Sequence, residues 1–557
     1  MLETFYHRSQ SPWIYQLEDN GITVEFRIAK NKIKRAYLLV KDPMASFDME
    51  NPYFELRKTI EMVKEGETIY HEYWSGSVAL ETKRYRYAFK LIDENDKEYV
   101  VGYYGLIDKE SFWKEAKGFV WAYWDKDNNL NVPSWYKKTN WYQIFPDRFN
   151  RVSESNEKNK YTSWQQTIPK GHELYGGNLE GIIEKLEYIK SIGFNGVYLT
   201  PIFKSNSSHR YATIDYYEID PILGDEKTFK KLIDKAHQLD IKIMIDAVYN
   251  HMSALSPIFQ DVIKNKEKSK YYDWFKIRNV NDLETIKNFN MSWNDYAKSK
   301  YPYETFAFVA DMPRLNWSNL KLKNHLFESA KKWTNLGIDG WRLDVSNTPT
   351  FNFWREFKKE ISKIKNDIVI IGEVWYESIN WLLGDQWHGV MNYPLRDVIF
   401  DLIRSNFSLE DKQKFVYNFN IISYQYTPEQ QWGLFNLLSS HDTARLITLL
   451  KNDKKKFELA TSILFFQPGA TSTYYGEEIG LEGGNDPDCR RPMAWKQTFI
   501  DFKNHYLELT EKHKKLANHV SIFNRTYAKL DGDNILLINS KYQVLMNKDK
   551  VELKLIQ

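Results

Sequence analysis

The chain has 557 residues but contains a single cysteine, Cys489, so no disulfide can form within it and no thiolate zinc site is available. It has no run of about 18 apolar residues, and its N-terminal stretch, MLETFYHRSQSPWIYQ, has neither the basic start nor the apolar segment of a secretion signal. No glycine is followed by lysine, which excludes a Walker A loop. We therefore expect a cytoplasmic protein without a membrane partner.

The chain also lacks a charge excess of one sign. Its 77 basic and 74 acidic residues are mixed along the sequence and give a formal net charge of +3, so no global field favours nucleic acid. Aromatic residues, in contrast, make up 16% of the chain, although the mean hydropathy is −0.59. Aromatic rings with polar substituents suit ligands that have flat apolar faces and many hydroxyls, which makes carbohydrates candidate ligands.

Within the first hundred residues, apolar and polar side chains alternate with a period of two, as in Val24, Phe26 and Ile28. Such strands, separated by turn-rich segments, predict an antiparallel β-sandwich, and residues 125–135 then have the composition of a linker. From Trp141 onward, short apolar strands alternate with amphipathic helices. Repeated βα units predict an α/β barrel or a doubly wound sheet, and the missing nucleotide fingerprints favour the barrel.

Two further segments complete the predicted organisation. The alternation lapses between His251 and Asp311 into a long aromatic stretch, and after Ala517 short strands return. The predicted fold class is α/β, a (β/α)8 TIM barrel with accessory domains. We predict an N-terminal β-sandwich domain at 1–125, a catalytic barrel at 135–517 with a small inserted subdomain after strand 3 at 251–311, and a short C-terminal β domain at 518–557.

Four of the apolar strands end in an acid, namely Asp246, Asp344, Glu373 and Asp442. Successive members are 98, 29 and 69 residues apart. A barrel of about 250 residues has about 30 residues in each βα unit. The spacings therefore place the acids on strands three, four, five and seven, with the inserted subdomain in the longest interval. The C-terminal ends of these strands form the face where barrel active sites lie.

The stretch GWRLDVSN places Arg342 and Asp344 on the same face of one strand, because strand side chains alternate. A structural salt bridge, or Asp344 as the cap of the next helix, would also explain the pair. Four acids at barrel spacing, accompanied by Asn250, His251 and His441, favour a functional cluster instead. The histidines could be metal ligands, but no HExxH or similar spacing occurs, so hydrogen bonding to a polar substrate suits them better.

Retaining glycoside cleavage requires this set of groups. One ionised carboxylate attacks the anomeric carbon, and a second carboxylic acid protonates the leaving oxygen and later deprotonates water. We expect Arg342 to hold Asp344 ionised by lowering its pKa.

The segments DAVYNH, GWRLDVSN, GEVW and SSHD, in this order, resemble the four signature regions of the α-amylase family of glycoside hydrolases. MPRLN at Met312 resembles a further motif of its neopullulanase, cyclomaltodextrinase and maltogenic amylase branch, as do YQIFPDRFNR, HRYATIDYYEIDP and NDPDCRRPMAW. The resemblance implies that Asp344 is the nucleophile, Glu373 the acid/base, and Asp442 a third carboxylate that binds substrate hydroxyls. It implies substrate-binding roles for further residues of these motifs: Arg342, His251, His441, Tyr211, His209, Asp246, Asn250 and Trp375. Among these, Tyr211 would be the platform under the sugar that is cleaved, and Trp375 an aromatic on the leaving-group side.

The resemblance further implies a retaining hydrolase that acts on α-1,4 bonds of cyclodextrins and short maltooligosaccharides, with transglycosylation as a side reaction and a homodimer formed through the N-terminal domain. No cofactor is required. Some relatives bind calcium, but the segment after Asp147 lacks their aspartates and asparagines, so we assign no metal ligand. Two departures, Ala212 and Thr348, stand where the branch often has acids and leave the acceptor specificity open. An α-1,6-glucosidase or pullulan-type specificity, or a non-catalytic glucan-binding protein, are the alternative functions.

Overall fold

A computed structural model of the protein describes residues 2–17, 21–43, 57–114, 117–121, 130–152, 161–164, 168–285, 301–307, 309–521 and 523–556. The helices, in chain order, are α1 (Lys109–Lys114), α2 (Pro146–Phe149), α3 (Leu179–Ser191), α4 (Glu226–Gln238), α5 (Pro257–Asn265), α6 (Leu320–Leu336), α7 (Phe351–Ser362), α8 (Tyr393–Arg404), α9 (Leu409–Gln425), α10 (Pro428–Gly433), α11 (Leu446–Leu449), α12 (Lys454–Phe465) and α13 (Lys503–His519). Within the described ranges, no helix is both long enough and apolar enough to cross a membrane. The chain forms two compact units, one of residues 1–131, 397–432 and 519–557, the other of 132–396 and 433–518.

The first unit begins with two antiparallel sheets. Their strands are β1 (Ile14–Gln16), β2 (Gly21–Ala29), β3 (Arg35–Lys41), β4 (Lys58–Glu61), β5 (Val63–Glu67), β6 (His71–Ala79), β7 (Tyr85–Ile92), β8 (Glu98–Gly102), β9 (Gly105–Ile107) and β10 (Phe119–Trp121). One sheet has the order β1-β2-β6-β5 and the other β4-β3-β7-β8-β9, with β10 also paired to β7. The predicted alternation is confirmed on one face of β2, where Val24, Phe26 and Ile28 are buried in the core. The five linker positions 125–129 lie outside the described residues.

The opposite face of β2 is also covered, which its polar residues did not predict. Glu25 is buried on this face, and Arg525 compensates its charge with a bidentate ion pair in which both N–O distances are 2.9 Å. Arg525 precedes the C-terminal sheet, whose strands β21 (Tyr527–Asp531), β22 (Asn534–Asn539), β23 (Tyr542–Met546) and β24 (Val551–Leu555) pair in chain order. Helix α9 packs against β21 and β5, where the Asn420 side chain donates to the carbonyls of Glu67 and Ala528.

The second unit contains the predicted barrel. Its parallel strands are β11 (Asn140–Ile144), β12 (Gly196–Leu199), β15 (Lys242–Ala247), β16 (Gly340–Leu343), β17 (Val369–Gly372), β18 (Gly389–Val390), β19 (Phe435–Leu437) and β20 (Ala470–Tyr474). The sheet order is β18-β17-β16-β15-β12-β11-β20-β19, and a parallel bridge between Met391 and Phe435 joins its two ends. Gly340 is required where the strands crowd together, since a Cβ there would lie 2.7 Å from a Val369 methyl.

Two segments outside the barrel strands shape its C-terminal face. Strands β13 (Phe203–Ser205) and β14 (Thr213–Ile219) form an antiparallel pair that carries the HRYAT motif between them. The predicted insertion after β15 contains α5 and is held by short antiparallel bridges, including His251 to Arg314 and Ile277 to Tyr303. Residues 286–300 and 308 of this insertion lie outside the described part of the chain.

Candidate active site

The four predicted acids lie at the ends of barrel strands three, four and five and after strand seven, as the spacing predicts. Asp246 lies within β15, Asp344 and Glu373 directly follow β16 and β17, and Asp442 follows β19 by five residues. The backbone N–H of Asp344 donates to Ala247 O, and that of Glu373 to Leu343 O, both at 3.0 Å. These bonds continue the barrel ladder and hold both acids at the C-terminal edge. The alternative that Asp344 caps the next helix is wrong, because Thr350 is the N-cap of α7.

Arg342 joins three of the acids. Its Nη1 lies 2.9 Å from Asp246 Oδ1 and 2.8 Å from Asp344 Oδ1, and its Nη2 lies 3.0 Å from Glu373 Oε1. Arg342 and Asp246 are fully buried, whereas Asp344 and Glu373 are 6% and 8% exposed. The guanidinium therefore contacts two carboxyl groups that reach solvent, those of Asp344 and Glu373, and one that does not, that of Asp246.

One buried cation facing three carboxyl groups cannot neutralise all of them, so the cluster retains protons at pH values where free carboxyls are ionised. Burial raises the pKa of Asp246 to about 6, even though Arg342 and Tyr198 oppose that change. Burial also raises the pKa of Asp344 well above its ordinary value, and the charges of Glu373 and Asp246 act in the same direction. Arg342 acts in the expected direction and lowers the pKa of Asp344, but burial and the two neighbouring acids together outweigh the guanidinium, so the net pKa lies above its ordinary value.

Glu373 is oriented by the chain on either side of it. Its Oε2 accepts from Val345 N at 3.0 Å, and its Oε1 accepts from Trp375 Nε1 at 3.2 Å. Val345 has a φ of 44°, a left-handed conformation that β-branched residues rarely adopt. This strained backbone directs the N–H at the glutamate, and such strain is common at functional sites. Trp375 is itself fixed by stacking on Tyr393, with ring centroids 3.7 Å apart.

A second network holds the wall around Asp442. The Nδ1 of His441 lies 2.8 Å from Gln143 Nε2, and its Nε2 lies 2.5 Å from Tyr211 Oη and 3.2 Å from Asp442 Oδ2. Tyr211 also donates to Asp246 Oδ2 at 3.0 Å. Burial lowers the pKa of His441 well below its ordinary value, so the ring is neutral. An amide donor at Nδ1 then leaves the proton on Nε2, where it faces Tyr211 and Asp442.

The other two predicted histidines are also neutral. Burial lowers the pKa of His209 to about 3 and that of His251 to about 4. His251 Nε2 lies 3.1 Å from the carbonyl of Tyr211, and its Nδ1 lies 3.1 Å from the side-chain amide of Asn250. Asn250 accepts in turn from Thr348 Oγ1 at 2.7 Å. Neutral rings in these positions exchange hydrogen bonds without adding positive charge to the acid cluster.

The acids open into a cavity of about 480 Å³. Seven predicted site residues line it: His209, Tyr211, His251, Asp344, Glu373, Trp375 and Asp442. The other four, which do not belong to the described lining, stand buried behind it: Asp246, Asn250, Arg342 and His441. The structure therefore places this second group in contact with the lining residues rather than with the cavity.

Eight other residues of the lining were not predicted as site residues: Phe306, Met312, Val345, Asn347, Val374, Tyr376, Asp486 and Arg490. Arg490 binds Asp442 Oδ1 at 3.3 Å and Asp486 Oδ1 at 2.9 Å, and it donates to the carbonyl of His441 at 2.9 Å. The motif NDPDCRRPMAW contains both Asp486 and Arg490, so the signal for them was present. Phe306 lies parallel to the His251 ring, with centroids 5.0 Å apart, but the sequence alone offered no sign of that contact.

Within the described residues, no group of three or more histidine, cysteine, aspartate or glutamate side chains could hold a metal ion. Asp147, which precedes the segment where some relatives bind calcium, is buried and accepts from Arg148 and from the backbone of Tyr175 and Gly176. Residues 153–160 of that segment lie outside the described chain.

Comparison with known proteins agrees with this geometry. The family described as the catalytic domain of alpha amylase matches residues 143–530, and that described as the N-terminal ig-like domain of alpha amylase matches residues 1–125. The chain is 36% identical to a maltogenic alpha-amylase of Bacillus acidopullulyticus, over 96% of this chain and 86% of the relative. It is also 36% identical to a cyclomaltodextrinase of a Bacillus species, over 99% and 96%, and 33% identical to an intracellular maltogenic amylase of Bacillus subtilis, over 92% and 84%.

A solved cyclomaltodextrinase structure superposes with a TM-score of 0.83 at 31% identity, covering 97% of this chain and 91% of that one. The match therefore spans the sandwich, the barrel and the C-terminal sheet together. The chain belongs to the α-amylase family of glycoside hydrolases.

Proposed function

We propose that the protein hydrolyses α-1,4-glucosidic bonds of cyclomaltodextrins and short maltooligosaccharides with retention of configuration. One observation carries the proposal: Asp344 and Glu373 share the Arg342 guanidinium, and both line one cavity together with Asp442. Two acids held together beside a third are what double displacement requires.

In the first step, the ionised Asp344 carboxylate attacks the anomeric carbon while protonated Glu373 transfers its proton to the glycosidic oxygen. The carbon–oxygen bond breaks, the shortened glucan leaves as an alcohol, and a glycosyl ester of Asp344 remains. In the second step, Glu373 removes a proton from water, whose oxygen attacks the same carbon and releases Asp344. Two inversions at one carbon give net retention.

The remaining lining residues position the sugar. Asp442 has oxygens to accept from substrate hydroxyls and is held by His441 and Arg490, while the Tyr211 ring is held by hydrogen bonds at its hydroxyl. Arg342 lies behind the nucleophile and stabilises the charge that returns to Asp344 when the ester breaks.

The substrate size follows from the shape of the site. Phe306 of the inserted segment and Met312, which directly follows that segment, both line the cavity. A cavity of about 480 Å³ suits a few glucose units or a small ring better than a long polymer. Relatives named cyclomaltodextrinase and maltogenic amylase support this choice.

We also propose that the protein is cytoplasmic and forms a homodimer through an N-terminal sandwich domain at 1–125, with the barrel at 135–517 and a C-terminal domain at 518–557. A relative named intracellular maltogenic amylase supports the location. Sedimentation velocity of the full chain, as a function of concentration, tests the dimer: a species of about twice the 66.5 kDa chain mass is expected, and a monomer at every concentration would contradict it.

The product profile on β-cyclodextrin, maltohexaose, pullulan and soluble starch, without added metal, tests the activity. Rapid opening of the cyclodextrin with slow attack on starch is expected, and Asp344→Asn serves as the matched inactive control. From pullulan, panose would indicate cleavage of α-1,4 bonds, whereas maltotriose would indicate cleavage of α-1,6 bonds. Binding of the oligosaccharides by calorimetry without any product would favour a glucan-binding protein instead.

A further inference from the structure

Two adjacent acids, Glu477 and Glu478, are buried in the segment YYGEEIG, which begins at the end of β20. Both lie in a short 3-10 helix, Glu477–Ile479, which the chain enters through Gly476 at a φ of 87°. Neither acid belongs to the described lining of the cavity, and the double displacement uses neither of them. Any part that they have in catalysis is therefore indirect.

Glu477 binds both ends of the segment that carries Asp442. This segment, residues 439–446, joins β19 to α11 and is called the Asp442 loop. Glu477 Oε1 accepts from Ser439 Oγ at 2.7 Å and from the backbone N–H of Leu446 at 3.3 Å. Because Ser439 begins the loop and Leu446 ends it, one carboxyl oxygen ties the two ends together.

We propose that Glu477 is a positioning residue for catalysis: its carboxyl group fixes both ends of the Asp442 loop and thereby holds the Asp442 carboxylate in place against the substrate. The inference rests on the proposed function, in which Asp442 binds the sugar. Glu477 itself touches neither the substrate nor the reacting atoms.

The other bonds of the loop hold its middle. The backbone N–H of Asp442 donates to Ser440 Oγ at 3.2 Å, a bond within the loop that fixes its shape but not its place in the protein. The carbonyl of His441 accepts from Arg490 Nε at 2.9 Å and from Cys489 Sγ at 3.2 Å. The loop is thus anchored from outside at its centre by one segment and at its two ends by Glu477.

The two ends differ in how many anchors they have. Next to the Leu446 end, the Arg445 guanidinium also donates to the carbonyls of Tyr475 and Cys489. The Ser439 side chain has no partner other than Glu477 among the described contacts. The bond between Ser439 and Glu477 is therefore the one whose loss should free the loop most directly.

Burial makes an acid costly at this position. It raises the pKa of Glu477 to about 7, although the charge of Arg445 and the bonds from Ser439 and Leu446 oppose that change. The second oxygen, Oε2, is buried and has no hydrogen-bond partner among the described residues. Buried polar atoms without a partner are rare and lower stability. The carboxyl group thus costs stability where it stands, while its Oε1 orders the loop beside the cavity.

Glu478 shows a different use of an equally buried acid. Its Oε1 accepts from the hydroxyls of Tyr142 at 2.7 Å and Tyr188 at 3.0 Å, and its Oε2 accepts from Gly476 N at 2.9 Å. These partners lie in β11, in α3 and in the segment itself, and among the described contacts none belongs to the Asp442 loop. Glu478 therefore serves the packing of the barrel, and it provides a control for Glu477.

The expected effect on the reaction follows from the placement of Asp442. Hydrogen bonds from an enzyme to the sugar hydroxyls strengthen in the transition state, so a displaced carboxylate lowers kcat. A displacement of about 1 Å can lower a rate about 100-fold. Loss of Glu477 should therefore act on kcat more than on KM, and it should act only while Asp442 is present.

The experiment is a double-mutant cycle on kcat and KM for maltotriose, with released glucose quantified. Glu477→Met is expected to lower kcat about 10- to 100-fold in the wild-type background but less than about threefold in Asp442→Asn, because the two residues then act as one unit. Glu477→Gln keeps an acceptor oxygen for both bonds and should stay within about threefold of wild type. Ser439→Ala removes the bond at one end and should lower kcat about two- to tenfold.

Glu478→Met makes the same change at the neighbouring buried acid and is the matched control. It should lower the thermal unfolding midpoint but leave kcat of the folded protein within about threefold of wild type, and Glu478→Gln replaces it if it does not fold. Unfolding midpoints are measured for every variant.

Two results would overturn the inference. One is an equal loss of kcat from Glu477→Met with and without Asp442, since the effect would then not pass through that residue. The other is an unchanged kcat in Ser439→Ala, and this variant keeps the test decisive if Glu477→Met does not fold. A wild-type protein that forms no product from maltotriose, maltohexaose or β-cyclodextrin would overturn the proposed function instead.

Discussion

Replacing Arg342 by methionine tests how the acid cluster works. The guanidinium lies 2.8–3.0 Å from oxygens of Asp246, Asp344 and Glu373, and it is fully buried. Removing one partner of a buried ion pair costs about 3–5 kcal/mol. At about 1.36 kcal/mol for each pKa unit, that cost raises the summed pKa values of the three carboxyls by about two to four.

The nucleophile works ionised, so activity rises with pH through the pKa of Asp344. If Asp344 receives a third of that change, its pKa rises by about one, which lowers kcat/KM on the acidic limb by about tenfold. The limb then moves to higher pH, and alkaline conditions restore part of the loss. Asp246→Asn should move the acidic limb to lower pH, because this substitution removes a negative charge that raises the pKa of Asp344.

The assay is kcat/KM for maltotriose between pH 5 and 9, in wild type, Arg342→Met, Arg342→Lys and Asp246→Asn, with unfolding midpoints measured alongside. Arg342→Lys keeps the positive charge, so the acidic limb of its kcat/KM profile should lie nearer that of wild type. It loses the forked guanidinium, whose two terminal nitrogens contact different carboxyl groups. Losses that are the same at every pH, together with an unmoved limb in Asp246→Asn, would refute the electrostatic reasoning. Because Asp246→Asn adds no unpaired charge, it keeps the test informative even if Arg342→Met does not fold.

Three further predictions concern catalysis and the first unit. Asp344→Asn and Glu373→Gln should each lower kcat on maltohexaose by about 10³-fold or more while the circular dichroism spectrum stays that of wild type; near-normal turnover would contradict the assignment. Arg525→Met should destabilise the first unit by about 3–5 kcal/mol at pH 8, because it leaves Glu25 buried without its partner; urea unfolding measures this, and an unchanged midpoint would count against it. Burial raises the pKa of Glu25 to about 7, so its contribution to stability is present below about pH 4.5 and is lost as pH rises through 7. Unfolding midpoints should therefore fall more steeply between pH 5 and 8 in wild type than in Glu25→Gln, and parallel curves would exclude that linkage.

The sequence by itself determined the barrel and the position of its acids. Apolar strands and amphipathic helices have different periods, so local pattern is sufficient to place βα units, and the interval from Asp344 to Glu373 is the length of one unit. Strand alternation is equally local, which is why Arg342 and Asp344 could be placed on one face before any contact was known.

Tertiary structure alone decided how the remaining groups meet. Arg490 reaches Asp442 from a segment 48 residues later, and Phe306 reaches His251 across the inserted segment, because packing rather than periodicity brings such loops together. The same holds for Glu25, which a strand pattern assigns to a polar face but which Arg525, 500 residues away, makes a buried partner.

The sequence alone also could not predict the direction of the overall pKa shift of Asp344. The sign of Arg342's effect can be read from its charge, but the extent of burial and the nearness of Asp246 and Glu373 depend on how three strands come together. Local sequence therefore determined which residues face the same side of a strand, while the packed barrel determined their distances and solvation, on which ionisation depends.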